Sequence, residues 1–323
     1  MIGRRAEPRA WVLNLDAEHE LEAAGRYQPT ARVREIVARE ARRLIGPLVR
    51  PGDVVLEMDD ARAGEGARAE RPAPDARGMP GFAWSPTPRA LARLEAAGAR
   101  PAPTPPLEVL RAVNARAFAR AVRAPLAEAS FRKDVATTLE EARALLARPA
   151  ELGWLVRRGF GAAGRGRRRL ATGEPTEAER AWLVASLRRG PLIVEPWVRI
   201  TREHTRCAWL ARDGALTILA PGFQATSASG GWLFTEPTER GALSRADDHA
   251  LERAVAAAGE ALAAAGYFGP FGIDAFHHLP SGLPSRLPSG RARGGRAVLN
   301  ALGEINARYT MDWPAEGSAG LGE

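Results

Sequence analysis

The last strand-like segment of the chain carries three polar side chains at alternate positions. Glu304, Asn306 and Arg308 are separated by single apolar residues, and side chains alternate between the two faces of a strand, so the three share one face. If the earlier segment containing Asp274 pairs with this strand, Asp274, Glu304 and Asn306 form an oxygen-only set that suits Mg²⁺. Arg308 would then hold a transferred phosphoryl group. A surface salt-bridge cluster around Arg308 is the alternative interpretation.

A glycine-rich stretch follows another strand-like segment in the middle of the chain. It begins Gly161, Ala162, Ala163, Gly164 and ends at Gly166. Glycines let several backbone N–H groups approach one anion, so the stretch is a candidate phosphate cradle. Its spacing matches neither the dinucleotide-binding turn nor the P-loop. An arginine-decorated flexible hairpin is therefore the alternative.

The elements that position these groups are mainly strands. From residue 192 to 234 most segments have the apolar pattern of β-strands. Asp213-Gly214 lies between two of them and predicts a hairpin turn, so we expect an antiparallel sheet. An alanine-rich helix is predicted to begin near Ser244 and to end at Gly266. Residues 279–296, rich in Pro, Ser, Gly and Arg, are predicted to form a mobile loop that joins the last two strands.

The first third of the chain has the pattern of a parallel α/β unit. Strand candidates at residues 11–15 and 54–58 flank a predicted helix, and a second helix is predicted from Thr87-Pro88 to Gly98. The proline-rich stretch 101–106 indicates a domain boundary. The apolar stripe of the first helix is Val33, Ile36, Val37, Leu44 and Ile45.

The segment after this boundary is predicted to be mostly helical around one hairpin. One helix is predicted to carry Leu107, Leu110, Val113 and Phe118. Capping-box patterns then mark the starts of two more helices, and the glycine-rich stretch lies between those two. The capping pairs are Thr138 with Glu141 and Thr176 with Glu179.

The composition is that of an ordinary globular protein. The 323 residues are 45% hydrophobic and 26% charged, and no segment is long and apolar enough to cross a bilayer. The first residues do not resemble a signal peptide, and Cys207 is the only cysteine, so we expect a cytoplasmic protein. The net charge of +8 arises in a chain whose only lysine is Lys133. Most arginines are interpreted as solvated surface, and a nucleic-acid partner is not expected.

These motifs together resemble the ATP-grasp superfamily of carboxylate-amine and carboxylate-thiol ligases. The shared features are a basic residue on a strand before a glycine-rich loop, a glutamate-containing hinge strand, and a final E-x-N-x-R strand, all within residues 107–323. The resemblance implies an α/β pre-ATP-grasp domain at residues 1–106 and an α+β ATP-grasp domain with antiparallel sheets at 107–323. It divides the latter into a lid subdomain at about 125–191 and a C-terminal subdomain at 192–323.

The resemblance also implies roles for single residues. Arg157 takes the place of the strand lysine that touches the ATP phosphates in the family. Arg116 takes the place of a second phosphate-binding lysine, which lies earlier in the chain. Arginine keeps the charge of lysine but differs from it in shape and in hydrogen bonding. The remaining implied nucleotide contacts are Gly161, Ala162, Ala163 and Gly164 for the phosphates, Glu195, Trp197 and Val198 for adenine, and Glu203 for ribose. The implied metal ligands are Asp274, Glu304 and Asn306.

The implied activity is phosphoryl transfer from ATP to a substrate carboxylate, followed by attack of an amine or another nucleophile on the acyl phosphate. Arg157 and Arg308 would be the catalytic cations, ATP and Mg²⁺ the cofactors, and Mn²⁺ a substitute for Mg²⁺. The partners would be a small-molecule or peptide carboxylate and a nucleophile, and a homodimer is compatible with the resemblance. Two alternatives remain open, a catalytically impaired ATP-binding regulator and a small-molecule kinase on the same fold.

Overall fold

A computed structural model describes residues 7–23, 26–58, 75–124, 126, 134–161, 164–227, 231–238, 242–279 and 297–313. The helices are Ala17–Glu22 (α1), Ala31–Ala41 (α2), Pro88–Ala96 (α3), Leu107–Asn114 (α4), Arg116–Arg123 (α5), Leu139–Leu146 (α6), Glu177–Leu187 (α7) and Arg245–Ala264 (α8). The strands are Ala10–Val12 (β1), Val54–Val55 (β2), Pro80–Ala83 (β3), Arg100–Pro101 (β4), Asp134–Ala136 (β5), Trp154–Arg158 (β6), Arg167–Leu170 (β7), Leu192–Pro196 (β8), Ile200–Leu210 (β9), Leu216–Thr226 (β10), Trp232–Pro237 (β11), Gly269–His278 (β12) and Val298–Asn306 (β13).

The N-terminal sheet is parallel, as the alternation of strands and helices predicts. Its strand order is β2-β1-β3-β4, and Ala10 of β1 pairs with both Val54 and Gly81. One face packs against α3 through the buried residue Leu94. The other face carries Trp11, which packs in a cluster with residues of the C-terminal sheet. The N-terminal unit therefore shares a core with the rest of the chain.

A second, antiparallel sheet has the order β5-β8-β6-β7 and is covered by α6 and α7; it contains the strands of the predicted lid subdomain and is called the lid sheet here. Both predicted capping boxes are present at the starts of these helices. Strand β8, which we expected to open the C-terminal subdomain, pairs with β6 and β5 instead. The lid sheet thus extends beyond residue 191, because the apolar side chains of β8 complete the lid core rather than that of the larger sheet.

The third sheet is the largest, with the antiparallel order β11-β10-β9-β12-β13. Alternation on its strands produces two different faces. Phe271 and Ile273 of β12 pack on the helical side in a core with α4, α5 and α8. Cys207 of β9 lies on the opposite side, in the cluster that contains Trp11. This second side of the sheet faces the N-terminal unit and the cavity described below.

Two predicted elements differ in detail. The helix expected around Leu107 and Phe118 is broken into α4 and α5 at Ala115, whose backbone is extended with φ −71° and ψ 133°. Helix α2 ends at Ala41, before the last two residues of the predicted stripe; none of its residues is buried, whereas Leu44 is buried and Ile45 is exposed. Of the predicted loop at residues 279–296, all but Leu279 lies outside the described residues.

Within the part of the chain that the structure describes, no helix combines the length and apolarity needed to span a membrane.

The core under α8 generates a stability prediction. Leu262 is fully buried, whereas Leu233 on β11 is 44% exposed. We expect Leu262→Ala to lower the free energy of unfolding by about 2–5 kcal/mol, because it removes buried methyl groups and leaves a cavity. Leu233→Ala is the matched control and should change it by less than about 1 kcal/mol. Equal losses in urea denaturation would contradict this placement of the core.

Candidate functional site

A cavity of about 520 Å³ lies where the three sheets meet. Its walls come from α1 and α2 of the N-terminal unit, the loop between β6 and β7, the end of β8, and strands β9 to β13. All described residues of the predicted site line this cavity. These are Arg116, Arg157, Gly161, Gly164, Glu195, Trp197, Val198, Glu203, Asp274, Glu304, Asn306 and Arg308.

The predicted metal ligands lie together on one wall. Strands β12 and β13 pair as the expected antiparallel hairpin, with Asp274 directly opposite Glu304. The Asn306 amide nitrogen donates a hydrogen bond to Asp274 Oδ2 at 3.1 Å. The pairing register places all three side chains on the cavity face, because Ile273 and Ile305 occupy the core face.

The electrostatics of this wall favour a cation. Burial, together with the charges of Glu304 and Asp312, raises the pKa of Asp274 from 3.8 to about 8, although Asn306 and Arg308 oppose the shift. Among the described residues no group of three or more His, Cys, Asp or Glu side chains has metal-binding geometry. The carboxylates of Asp274 and Glu304 and the amide of Asn306 are oxygen ligands of the kind that a hard divalent ion such as Mg²⁺ prefers. Among the described residues, no cationic side chain contacts Asp274.

An ionic network crosses the base of the cavity. Arg157 of β6 contacts Glu195 of β8 at 2.9 Å and Glu304 of β13 at 3.5 Å. Burial works against the charged form of Arg157, but the two carboxylates outweigh burial and raise its pKa. Arg157 is therefore a fixed positive charge between the lid sheet and the largest sheet.

Arg116, the first residue of α5, lies on the other side of Glu304. Its Nε is 3.2 Å from Glu304 Oε1, and burial lowers its pKa against the attraction of that carboxylate. Its two terminal nitrogens donate to the carbonyl oxygens of Arg158 at 2.9 Å and Gly161 at 2.7 Å. Arg116 thus holds the start of the glycine-rich loop.

The glycine-rich loop connects β6 and β7 as a hairpin. A side chain at Gly161 would place its Cβ 2.5 Å from the Arg165 carbonyl oxygen and 3.2 Å from Arg116 Nη1, so only glycine fits there. Gly164 has a left-handed φ of 75°. The predicted contacts Ala162 and Ala163 lie outside the described residues.

The residues predicted to contact adenine and ribose lie on β8, the last strand of the lid sheet in chain order, or shortly after it. Trp197 donates its backbone N–H to the Gly153 carbonyl at 2.8 Å, and Trp197 and Val198 both face the cavity. Glu203 of β9 also faces the cavity and accepts a hydrogen bond from the Thr226 hydroxyl at 2.5 Å. The Trp197 ring and the Glu203 carboxylate are thus both present where β8 and β9 border the cavity.

Arg308 is held by the N-terminal unit. Its Nε donates to Glu18 Oε1 of α1 at 2.7 Å, and its Nη2 donates to the same oxygen and to Asn306 Oδ1 at 3.1 Å. Its guanidinium also lies 5.3 Å from the centre of the Trp84 ring. Glu18 is buried, so this ion pair is shielded from water.

Sequence reasoning missed several cavity residues. Glu18 and Asp312 bring two carboxylates that no motif marks. Gln224 and Trp232, which contact Asp312 from β10 and β11, lie in segments that the sequence also allows to be a polar hairpin loop and a core strand. The stripe on α2 is visible in the sequence, but its pattern does not show that it lines a cavity. Only contacts between distant segments reveal these residues, so no local pattern could have indicated them.

The comparisons with known proteins support the fold. No protein-family model matches the sequence, and no curated protein matches it. Among solved structures, biotin carboxylase from Campylobacter jejuni is similar with a TM-score of 0.50 and 13% identity over 72% of this chain and 49% of that chain. N5-carboxyaminoimidazole synthetase from Staphylococcus aureus has a TM-score of 0.49 and 9% identity, over 94% and 71% of the two chains. N5-carboxyaminoimidazole ribonucleotide synthetase from Thermus thermophilus has a TM-score of 0.49 and 18% identity, over 93% and 71%.

The similarity to biotin carboxylase, together with the observed sheets, confirms the predicted ATP-grasp fold. The chain spans about half the length of that biotin carboxylase. Fold alone does not determine activity, which depends on the residues of the site.

The network at the base of the cavity generates a second prediction. We expect Arg157→Met to lower the free energy of unfolding by about 3 kcal/mol, because it removes a buried cation from beside two carboxylates. The control Arg180→Met breaks an exposed pair with Glu174 and should cost less than about 1 kcal/mol. Urea denaturation measures both values, and similar losses would contradict a buried role for Arg157.

The raised pKa of Asp274 generates a third prediction. Between about pH 4 and pH 8 the folded chain keeps a proton on Asp274 that the unfolded chain releases, so the contribution of Asp274 to stability falls as pH rises through this window. Without divalent ions, Asp274→Asn should be more stable than the wild type at pH 8.5, by on the order of 1–3 kcal/mol. The two proteins should be nearly equal at pH 4.5.

Denaturation of both proteins in EDTA at the two pH values measures this difference. Asp213→Asn in the exposed β9–β10 turn is the control and should show no pH-dependent gain. A wild type as stable as Asp274→Asn at pH 8.5 would contradict the raised pKa.

Proposed function

We propose that this protein is an ATP-dependent ligase that activates a carboxylate as an acyl phosphate for attack by an amine. The observation that carries the proposal is the convergence in one cavity of Arg157, the glycine-rich loop, and the Asp274, Glu304 and Asn306 wall. A basic surface beside a set of hard oxygen ligands is suited to a polyphosphate bound with a divalent cation.

The nucleotide would lie along the cavity between the lid sheet and the largest sheet. Its phosphates would approach Arg157 and the backbone N–H groups of the loop from Gly161 to Gly164. Adenine would lie near Trp197 and Val198, with the ribose hydroxyls at Glu203. The Campylobacter jejuni biotin carboxylase of similar fold was solved as a β-γ-ATP complex, which supports a nucleotide in this cleft.

Asp274, Glu304 and Asn306 would hold Mg²⁺, for which Mn²⁺ could substitute. The ion would neutralise negative charge on the phosphates. The buried carboxyl of Asp274, which lacks a contacting cation among the described residues, supports this assignment.

The side chains of the protein would act mainly by positioning and by charge. Arg157 would orient the phosphate that is transferred to the carboxylate oxygen. Arg308, whose guanidinium lies between Asn306 and Glu18, would hold the acyl phosphate while the nucleophile attacks. The substrates would be a small-molecule or peptide carboxylate and an amine, and we also propose a cytoplasmic location, which the single cysteine supports.

One observation favours a second candidate, a nucleotide-binding regulator with impaired catalysis. Arg116 and Arg157 stand where the resemblance places lysines, and both are engaged by internal carboxylates or carbonyl oxygens. A nucleotide would have to compete with Glu195 and Glu304 for these arginines. Binding without turnover is the outcome that would distinguish this candidate.

The test begins with nucleotide binding. Mg²⁺-ATP at about 100 times its Kd should stabilise the wild type by about 2.7 kcal/mol, because the ligand binds only the folded state. Arg157→Met should weaken binding at least about tenfold, Arg157→Lys should largely retain it, and Arg180→Met should match the wild type. An unchanged melting temperature with saturating Mg²⁺-ATP would overturn the proposal.

Turnover is then measured as ADP release with pools of carboxylates and amines, with products identified by mass spectrometry. An amide supports the ligase, a stable phosphorylated product indicates a kinase, and binding with no ADP release indicates the regulator.

A further inference from the structure

The N-terminal wall of the cavity is formed by the apolar face of α2. No residue of this helix is buried, and its stripe of Val33, Ile36 and Val37 lines the cavity. An amphipathic helix normally covers its apolar face with a core. Here that face is turned toward the space that a ligand would fill.

A carboxylate lies on the adjoining wall. Asp312 is half-buried, faces the cavity, and accepts hydrogen bonds from Trp232 Nε1 at 2.9 Å and Gln224 Nε2 at 3.2 Å. The Thr235 hydroxyl also donates to it. All three donors are neutral, and among the described residues no cation forms an ion pair with Asp312.

The two walls are continuous. Arg43, just after α2, places its guanidinium 4.3 Å from the centre of the Trp232 ring and donates to the backbone of β11. Because Trp232 also contacts Asp312, the C-terminal end of α2 adjoins the wall that carries the carboxylate, and the stripe and the carboxylate line the same cavity.

The cations at this end of the cavity are paired with other carboxylates than Asp312. Glu18 pairs with Arg308 through two hydrogen bonds, and Glu40 pairs with Arg43 at 3.0 Å and with Arg39 at 2.8 Å. The second carboxylate oxygen of Glu18, Oε2, is buried and has no hydrogen-bond partner among the described residues. Burial raises the pKa of Asp312 to about 6, so its carboxylate is charged above that pH. With Arg308 and Arg43 both paired to carboxylates, the charge of Asp312 is left to attract a positive group.

We propose that this end of the cavity binds a primary amine with an apolar substituent, with the ammonium group at Asp312 and the substituent against Val33, Ile36, Val37 and Trp232. The shape and charge of the walls define this ligand class. Its place in the reaction rests on the proposed function, in which the amine is the nucleophile.

In that role the amine lies next to Arg308, which would hold the acyl phosphate. The ammonium loses one proton to the solvent, and the nitrogen lone pair then forms the C–N bond. The C–O bond to phosphate breaks, its electron pair leaves with the phosphate, and the second nitrogen proton passes to that phosphate, which departs as HPO₄²⁻. The products are an amide and inorganic phosphate.

The test measures binding to the full chain by calorimetry and requires no turnover. The probes share one carbon skeleton and differ in charge: 3-methylbutylamine, 3-methylbutan-1-ol and 3-methylbutanoate. We expect the amine to bind at least about tenfold more tightly than the alcohol, and the carboxylate to bind more weakly still. Methylamine should bind about tenfold more weakly than 3-methylbutylamine, because it lacks the apolar substituent.

Two variants assign the contacts. Asp312→Asn should weaken 3-methylbutylamine at least about tenfold, and Asp213→Asn should not. Val37→Thr, which exchanges a methyl group for a hydroxyl, should weaken 3-methylbutylamine a few-fold and leave methylamine unchanged. Its matched control is Val184→Thr at an exposed position on α7.

The wild-type probe series decides the inference even if a variant fails to fold. Equal binding of the alcohol and the amine, or binding of the amine to folded Asp312→Asn at wild-type strength, would overturn it. Mg²⁺-ATP binding is measured on the same samples. Amine binding without nucleotide binding would support the amine site and reject the ligase, whereas nucleotide binding without selectivity for amines would reject the amine site alone.

Discussion

The architecture of the cleft depends on one buried ionic network, formed by Arg116, Glu304, Arg157 and Glu195. Glu304 belongs to the largest sheet, Arg157 and Glu195 belong to the lid sheet, and Arg116 begins a helix on the opposite side of Glu304. Charges with so little access to water are costly unless they are paired. The position of the lid sheet over the largest sheet is therefore tied to the pairing of these four groups.

The same network determines the shape of the glycine-rich loop. Arg116 contacts Glu304 on one side and the carbonyl oxygens of Arg158 and Gly161 on the other. A change in the charge at Glu304 is thereby transmitted to the backbone that would receive phosphates. Because Arg157 is also neutralised by carboxylates, phosphate binding would be an exchange of partners at arginines that are already in position.

The other end of the cavity is organised by the N-terminal unit. Glu18 of α1 holds Arg308, and the apolar face of α2 lines the cavity together with Asp312. The base of the cavity thus carries arginines that are paired with carboxylates, and the other end carries Asp312 and an apolar surface. Because these are different groups, a polyanion and an amine held side by side would not compete for the same partners.

Local sequence determined the elements with strong short-range signals. The capping boxes at Thr138 and Thr176 form as predicted, because their hydrogen bonds join residues only three positions apart. Alternation along β13 likewise places Glu304 and Asn306 on one face, and the predicted pairing with β12 brings Asp274 opposite Glu304. Only the tertiary structure decided that β8 joins the lid sheet, that the α2 stripe faces a cavity, and that Glu18 pairs with Arg308. Apolar periodicity indicates that one side of a helix or strand is covered, but it does not identify the group that covers it. Contacts such as that of Glu18 with Arg308 join residues 290 positions apart, so they exist only after the chain has packed.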